Sequence, residues 1–276
     1  MDDENFVRFF SRHLVSLSGW YYASASKETD PGELHLFSYS GFIISFHGFW
    51  CLATAGHILE DLEENLAKGL IRVERYALLD TFGHEVISHE PIPFIYSQAP
   101  KFFVNDREAG LDFALIGLGP YYQHLLQANG VEAVTQENWE KQKEVDFGRF
   151  MMIGLPQEAI EASSWKSQGK VHFKALVRPM TLEIEKIQKA PNGSEETRYP
   201  RFIGKINGDM PLNSIQGMSG GPILGFNKQG NKYWIVAIQS SWLPESKIIF
   251  GCPILTIADI VEKMISRATP DIKNEI

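Results

Sequence analysis

Three short strings hold the side chains best suited to chemistry. Leu52-Ala53-Thr54-Ala55-Gly56-His57 is an apolar strand that ends on a histidine as the chain turns into a helix. Leu111-Asp112-Phe113-Ala114-Leu115-Ile116 opens a buried apolar strand with an acid, and Gly217-Met218-Ser219-Gly220-Gly221-Pro222 sets a serine inside a glycine-rich turn. Each has an ordinary structural explanation: a hydrogen-bonded core histidine, an aspartate turn or cap, a loop. Together they offer something else. A serine hydroxyl is a poor nucleophile at neutral pH and needs a base within hydrogen-bond reach, and an imidazole serves once a carboxylate holds its tautomer. Glycine at position 217 suits a sharp turn that must come close to a bound molecule, where a Cβ would obstruct.

Read in order, the strings resemble the trypsin-like, chymotrypsin-fold serine peptidases, in which the histidine follows T-A-x-H, the aspartate precedes an apolar A-L strand, and the nucleophile lies in G-x-S-G-G-P. The order His57, Asp112, Ser219 matches that family and differs from the Ser-Asp-His order of α/β-hydrolases and the Asp-His-Ser order of subtilisins. The resemblance spans roughly residues 37 to 268, because Phe250-Gly251-Cys252-Pro253-Ile254 followed by a helix is also similar to the family's ending. It implies a catalytic triad of His57, Asp112 and Ser219, with the backbone N–H groups of Gly217 and Ser219 as an oxyanion hole. It also implies a primary specificity pocket with Asn213 at its base, Ser240, Ser241 and Trp242 along one wall and Gly251 opposite. A neutral Asn213 there would favour small or medium neutral side chains; the alternative is that Asn213 is only a turn residue.

Two departures from the family shape the expectation further. Met218 stands where secreted digestive members carry an aspartate before the nucleophile, so activation through that ion pair is not expected. The cysteine that usually follows the catalytic histidine is absent, which leaves Cys51 without that partner. Both features look more like an intracellular bacterial branch of the family.

These residues need a scaffold, and the patterning supplies one. Phe6, Phe9, Phe10, Leu14 and Leu17 recur at helical spacing, predicting an N-terminal helix over 1–18 closed by Ser18-Gly19. Residues 19–118 read as a first β-barrel carrying His57 and Asp112, with strands over 42–46, 50–54, 70–79, 85–89, 102–105 and 113–118 and one helix over 58–68. Residues 119–147 are more polar and read as an interdomain connection. Residues 148–255 read as a second β-barrel carrying Ser219, with strands over 149–153, 170–177, 181–187, 201–206, 222–226, 233–239 and 248–252 and a turn at Pro191-Asn192-Gly193-Ser194. Residues 256–276 read as a helix capped by Thr256, with a short tail. The expected fold is all-β, two antiparallel six-stranded β-barrels with a helix at each end and the triad in the cleft between them.

Composition narrows the function. The 276 residues are 44% hydrophobic and 22% charged, which is ordinary globular usage and excludes a disordered or coiled-coil chain. Net charge is -8, so no nucleic-acid partner is expected. Two cysteines and an acidic start, Met1-Asp2-Asp3-Glu4, point to a reducing, cytoplasmic setting without a secretory leader. The long uncharged run over 34–59 contains histidines, serines and glycines and reads as strands, so no membrane partner is expected. His84 and His89 lack ligand spacing to other donors, and no phosphate-binding glycine string occurs, so neither a metal nor a cofactor is expected. The function that follows is a serine endopeptidase acting through an acyl-enzyme on a polypeptide substrate or under a regulatory protein partner, with the oligomeric state open. The alternatives are a catalytically silent peptide-binding or scaffold protein on the same fold, a pseudoprotease, and an esterase using the same nucleophile.

Overall fold

A computed structural model describes residues 3–23, 34–80, 90–167, 170–189, 196–208, 210 and 213–268. A short helix α1 (Asp3–Ser11) leads into β1 (Ser16–Ala23), β2 (Leu34–Tyr39), β3 (Phe42–Phe46) and β4 (Phe49–Thr54). Helix α2 (Gly56–Ala67) follows, then β5 (Ile71–Leu79), β6 (Ile92–Pro93), β7 (Lys101–Asp106) and β8 (Leu111–Gly117). These strands form two four-stranded antiparallel sheets, in the orders β2-β1-β5-β6 and β3-β4-β8-β7. Leu17 and Leu78 from one sheet and Ile43, Leu52 and Ile116 from the other share a buried core, closed at one side by Leu59 and Leu62 of α2.

Helix α3 (Pro120–Ala128) connects to the second half, which contains β9 (Phe147–Gly154), β10 (Ile160–Ser167), β11 (Lys170–Val177) and β12 (Met180–Lys186). It continues with β13 (Phe202–Ile206), β14 (Pro222–Asn227), β15 (Tyr233–Leu243), β16 (Ile248–Pro253) and helix α4 (Ile254–Ala268). Six of these strands close a barrel in the order β12-β13-β16-β15-β14-β9, while β10 and β11 pair with each other as a separate hairpin. The halves meet through one apolar cluster that takes Phe42, Ala53, Leu111 and Phe113 from the first and Met151, Ile153, Ile238 and Cys252 from the second. That seam fixes the strand ends carrying the candidate site residues relative to one another. No helix among the described residues is long and apolar enough to cross a membrane.

Several expectations are corrected. Among the described residues the second half closes into a six-stranded barrel, whereas the first shows two four-stranded sheets that share a core. The N-terminal helix ends at Ser11 and does not reach residue 18, because residues 16–23 form β1, with Leu17 paired to Tyr39 and Leu78. The apparent helical spacing of Phe10, Leu14 and Leu17 arises from a helix end followed by a buried strand. Inside that strand Ser16, Ser18 and Ser38 satisfy one another through hydroxyl contacts of 2.8 to 3.0 Å, so polar residues lie inside and mask the alternation. Helix α4 begins at Ile254, two residues before the expected Thr256 cap. The expected strand over 85–89, the turn at 191–194 and the histidines at 84 and 89 lie outside the described residues.

The N-terminal segment is clamped across both halves. Phe10 meets Phe226 and Tyr233 edge-on, at 5.6 and 4.8 Å between ring centres. Buried His13 donates from Nδ1 to the Glu132 carbonyl at 2.8 Å and accepts at Nε2 from the Tyr233 hydroxyl at 2.7 Å. Burial lowers its pKa from 6.5 to about 4, against the raising effect of the Glu132 carbonyl and with a further push from Arg12. Asp80, also buried, is shifted the other way: burial raises its carboxyl from 3.8 to about 6 despite the hydrogen bond from Asn129 at 2.9 Å.

The two groups should oppose each other in acid. Below pH 6.5 the unfolded chain binds a proton at residue 13 that the folded protein refuses until about pH 4, so this residue's contribution to stability falls as pH falls. Between about pH 6 and 3.8 the folded protein holds a proton on Asp80 that the unfolded chain has lost, so its contribution rises as pH falls. Each is about 3 kcal/mol across its window. Urea unfolding followed from pH 7 to 4 should therefore show His13→Gln gaining stability on acidification relative to wild type, and Asp80→Asn losing it. Parallel pH slopes in all three proteins would contradict both assignments.

Candidate active site

His57 sits in the first turn of α2, immediately after β4, and Asp112 is the second residue of β8, the strand paired to β4. Gly56 makes the approach possible. A Cβ there would lie 1.9 Å from the Val104 carbonyl oxygen, so only glycine lets the start of α2 lie flat on β7. The Asp112 carboxylate then takes two bonds from one residue: the His57 backbone N–H at 2.9 Å on Oδ1 and the His57 ring Nδ1 at 2.8 Å on Oδ2. A carboxylate only accepts, so Nδ1 carries the proton and Nε2 presents its lone pair. The same carboxylate satisfies one of the N-terminal amides of α2 that have no partner within the helix.

Burial alone would push the His57 pKa down. The hydrogen bond and charge of Asp112, joined by Asp61 one helical turn along α2, outweigh burial and the opposing Arg107, so the net shift is upward from 6.5. Any rate that needs neutral His57 should therefore rise with pH through a midpoint above 6.5. Asp61→Asn should move that midpoint down while changing the alkaline plateau less than about threefold, as read from the pH dependence of labelling by a serine-directed phosphonate. An unmoved midpoint would remove Asp61 from the electrostatics of the site.

The serine turn is built by two glycines in the left-handed region, Gly217 and Gly220, both at φ +90°. Within it, the N–H groups of Met218, Gly220 and Gly221 donate to the carbonyls of Ile215, Gln239 and Met218. Those of Gly217 and Ser219 donate to no partner among the described residues. The Gln157 N–H holds the Gln216 carbonyl at 2.7 Å, and because the peptide is trans, the Gly217 N–H of that same unit points the other way. Two unpartnered amides two residues apart in a positive-φ turn form an arrangement suited to an anion.

Ser219 Oγ donates to the Ser240 carbonyl at 3.3 Å, and it makes no hydrogen bond with His57. His57 and Asp112 are thus brought into contact, whereas Ser219 lies on a loop packed against the end of β4 with its hydroxyl turned to β15. The contact of that loop with β4 is close: a Cβ on Gly220 would fall 2.1 Å from Thr54 Oγ1 and 3.0 Å from the Ala55 nitrogen.

Of the residues expected around a specificity pocket, Ser240, Ser241 and Trp242 lie on β15 and Gly251 on the adjoining β16, opposite Gln239. Ser240 is buried and its hydroxyl donates to the Phe250 carbonyl at 3.2 Å, while Ser241 is exposed and Trp242 packs partly against the barrel core. Gly251 lies in the barrel wall, where a Cβ would come within 2.8 Å of the Ile238 carbonyl oxygen. Asn213 is exposed and donates to Glu158 at 3.2 Å, and Glu158 also accepts the Ser214 N–H at 3.1 Å. Clefts of about 600 and 790 Å³ lie elsewhere, the first beside Lys205 and Lys247 and the second between α2 and β5 around Tyr76 and Tyr96. Burial raises the Cys51 thiol to about 11 and the Cys252 thiol to about 12. Gln157, Glu158, Asp61 and Ser40 escaped the sequence reading, and only Asp61, one turn beyond the histidine on a predicted helix, carried a readable signal.

No family model matches the chain, and no curated protein does. Among solved structures, similarity extends to the inactive serine-to-alanine mutant of Rv3671c from M. tuberculosis H37Rv, at 12% identity over 96% of this chain and 92% of that one, with a TM-score of 0.47. A thermostable serine protease, AL20, from an extremophilic microorganism aligns at 16% identity over 88% of this chain and 92% of that one, with a TM-score of 0.43. The serine endoprotease from Yersinia pestis aligns at 14% identity over 97% of this chain and 68% of that one, with a TM-score of 0.45.

Proposed function

We propose that the protein is a serine hydrolase that cleaves peptide bonds through an acyl-enzyme, with Ser219 as nucleophile, His57 as general base and then acid, and Asp112 as its orienting partner. The observation that carries this reading is the bidentate clamp of Asp112 on His57, which fixes the ring and leaves Nε2 as its acceptor. This mechanism requires the Ser219 side chain to leave the Ser240 carbonyl and bring its hydroxyl to that nitrogen. The oxygen then attacks the substrate carbonyl carbon as its proton passes to Nε2, and the C–O π pair moves onto the oxygen facing the Gly217 and Ser219 amides. Collapse breaks the C–N bond as Nε2 returns the proton to the leaving amine, and water, deprotonated by the same nitrogen, hydrolyses the ester.

One observation favours a second reading. The hydroxyl bond to Ser240 rather than to His57 is what a peptide-binding protein that never cuts would also display. A fluorophosphonate probe separates the two: labelling of folded wild type that Ser219→Ala abolishes supports the hydrolase, and unlabelled folded wild type supports the binding protein. A peptide library run beside an ester panel then separates peptidase from esterase and reads the preferred side chain.

A further inference from the structure

Ser40, in the two-residue link between β2 and β3, is completely buried. Its hydroxyl donates to the Gly217 carbonyl at 2.6 Å and accepts the Leu155 N–H at 2.8 Å. Its own carbonyl accepts from Thr54 Oγ1 at 2.7 Å. One side chain of the first half therefore joins the end of β9 and the serine turn of the second half, on a footing braced by the strand that leads to His57. The consequence for Gly217 is specific. The peptide on its N-terminal side is held by Gln157 through the Gln216 carbonyl, and the peptide on its C-terminal side is held by Ser40 through the Gly217 carbonyl. Gly217 itself has φ +90°, and glycine places little intrinsic resistance on rotation about its backbone bonds. The direction of its N–H follows the Gln216 carbonyl of the same peptide unit, held by Gln157, while the orientation of the next unit, which links the Gly217 and Ser219 amides, is held by Ser40 through the Gly217 carbonyl and by the Met218 N–H bond to the Ile215 carbonyl.

We propose that Ser40 is a positioning residue: it holds the peptide between Gly217 and Met218, and so the spacing and relative direction of the unpartnered Gly217 and Ser219 amides on either side of it, and thereby makes the anion-binding turn depend on contact between the two halves. This rests on the hydrolase reading above. Without the hydroxyl, the Gly217 carbonyl and the Leu155 N–H both lose a buried partner, and the peptide between Gly217 and Met218 keeps only its Met218 N–H bond to the Ile215 carbonyl. A fluorophosphonate forms a P–O bond to Ser219 as the hydroxyl proton passes to His57 and the P–F bond breaks to release fluoride, and the negative charge that builds on its phosphoryl oxygen reads the same pair of amides.

The test uses the full chain and a fluorophosphonate, with rate and final stoichiometry measured separately across pH. Ser40→Ala should reach the stoichiometry of wild type at a rate at least tenfold lower, with the pH midpoint unchanged, because His57 and Asp112 are untouched. Ser40→Cys keeps a weak donor of similar size and should fall between the two, and it stands in if Ser40→Ala does not fold. A rate within twofold of wild type in the folded variants, or a slow rate explained entirely by lost stoichiometry, would overturn the positioning role. Folded wild type that does not label, or labelling that survives Ser219→Ala, would instead remove the hydrolase reading and this inference with it.

Discussion

Ser219→Ala is expected to lower turnover of any cleaved peptide by about 10⁵-fold while shifting the melting temperature by no more than about 3 °C. The two halves of this expectation have separate causes. Without the hydroxyl there is no acyl-enzyme, and what survives is the slow attack of water aided by the amides of Gly217 and Ser219. The stability cost is small because the hydroxyl makes one long bond, 3.3 Å to the Ser240 carbonyl, at a half-buried position. His57→Ala should lose nearly as much turnover, and the double variant little more than either alone, since nucleophile and base act as a unit. Additive losses, or a large drop in melting temperature for Ser219→Ala, would argue that the serine turn is structural. Turnover measured with a substrate taken from the peptide library, together with thermal unfolding of the same preparations, decides it.

What was legible in the chain follows the range of the interactions involved. His57, Asp112 and Ser219 could be singled out because each lies in a string whose neighbours are set locally: an apolar strand ending, an acid opening a strand, glycines around a turn. The contact of His57 with Asp112 was then foreseeable, and the strands that bring them together, β4 and β8, are paired in register. Ser40 and Gln157 were not foreseeable, because a lone serine between two strands and a glutamine in a loop acquire meaning only from partners 177 and 59 positions away, Gly217 and Gln216. The fold shows the same division. Most strands of the second half are legible in the sequence, but the first three residues of β1, Ser16 to Ser18, fall within the stretch that reads as helix, because Ser16 and Ser18 point inward onto Ser38, a cluster satisfied only once β2 is in place. Closure was also beyond reach: whether a set of strands forms one barrel or two sheets depends on which edges pair, and short elements such as β6 (Ile92–Pro93) carry almost no pattern.

Gly220→Ala should abolish phosphonate labelling and destabilise the protein by about 3 kcal/mol or more, whereas Gly230→Ala should cost about 1 kcal/mol and leave labelling unchanged. Both glycines have positive φ, +90° at Gly220 and +69° at Gly230, so an L side chain is strained at either place. They differ in what a Cβ would meet. At Gly230, in the turn between β14 and β15, nothing lies within 4 Å. At Gly220 the new carbon would sit 2.1 Å from Thr54 Oγ1 and 2.3 Å from the Ser40 carbonyl oxygen, inside the bond that links those two residues. Neither obstacle is the free end of a flexible side chain: one is backbone, and the other is a buried hydroxyl already committed to it. Relief requires the serine turn to lift off β4, which carries Ser219 away from His57 and pulls the Gly217 carbonyl off Ser40. Labelling should therefore fail even at temperatures where the variant remains folded by circular dichroism. A Gly220→Ala protein that labels at the wild-type rate would mean that the turn does not rest on Ser40 and Thr54, and the joint between the halves would have to be sought elsewhere.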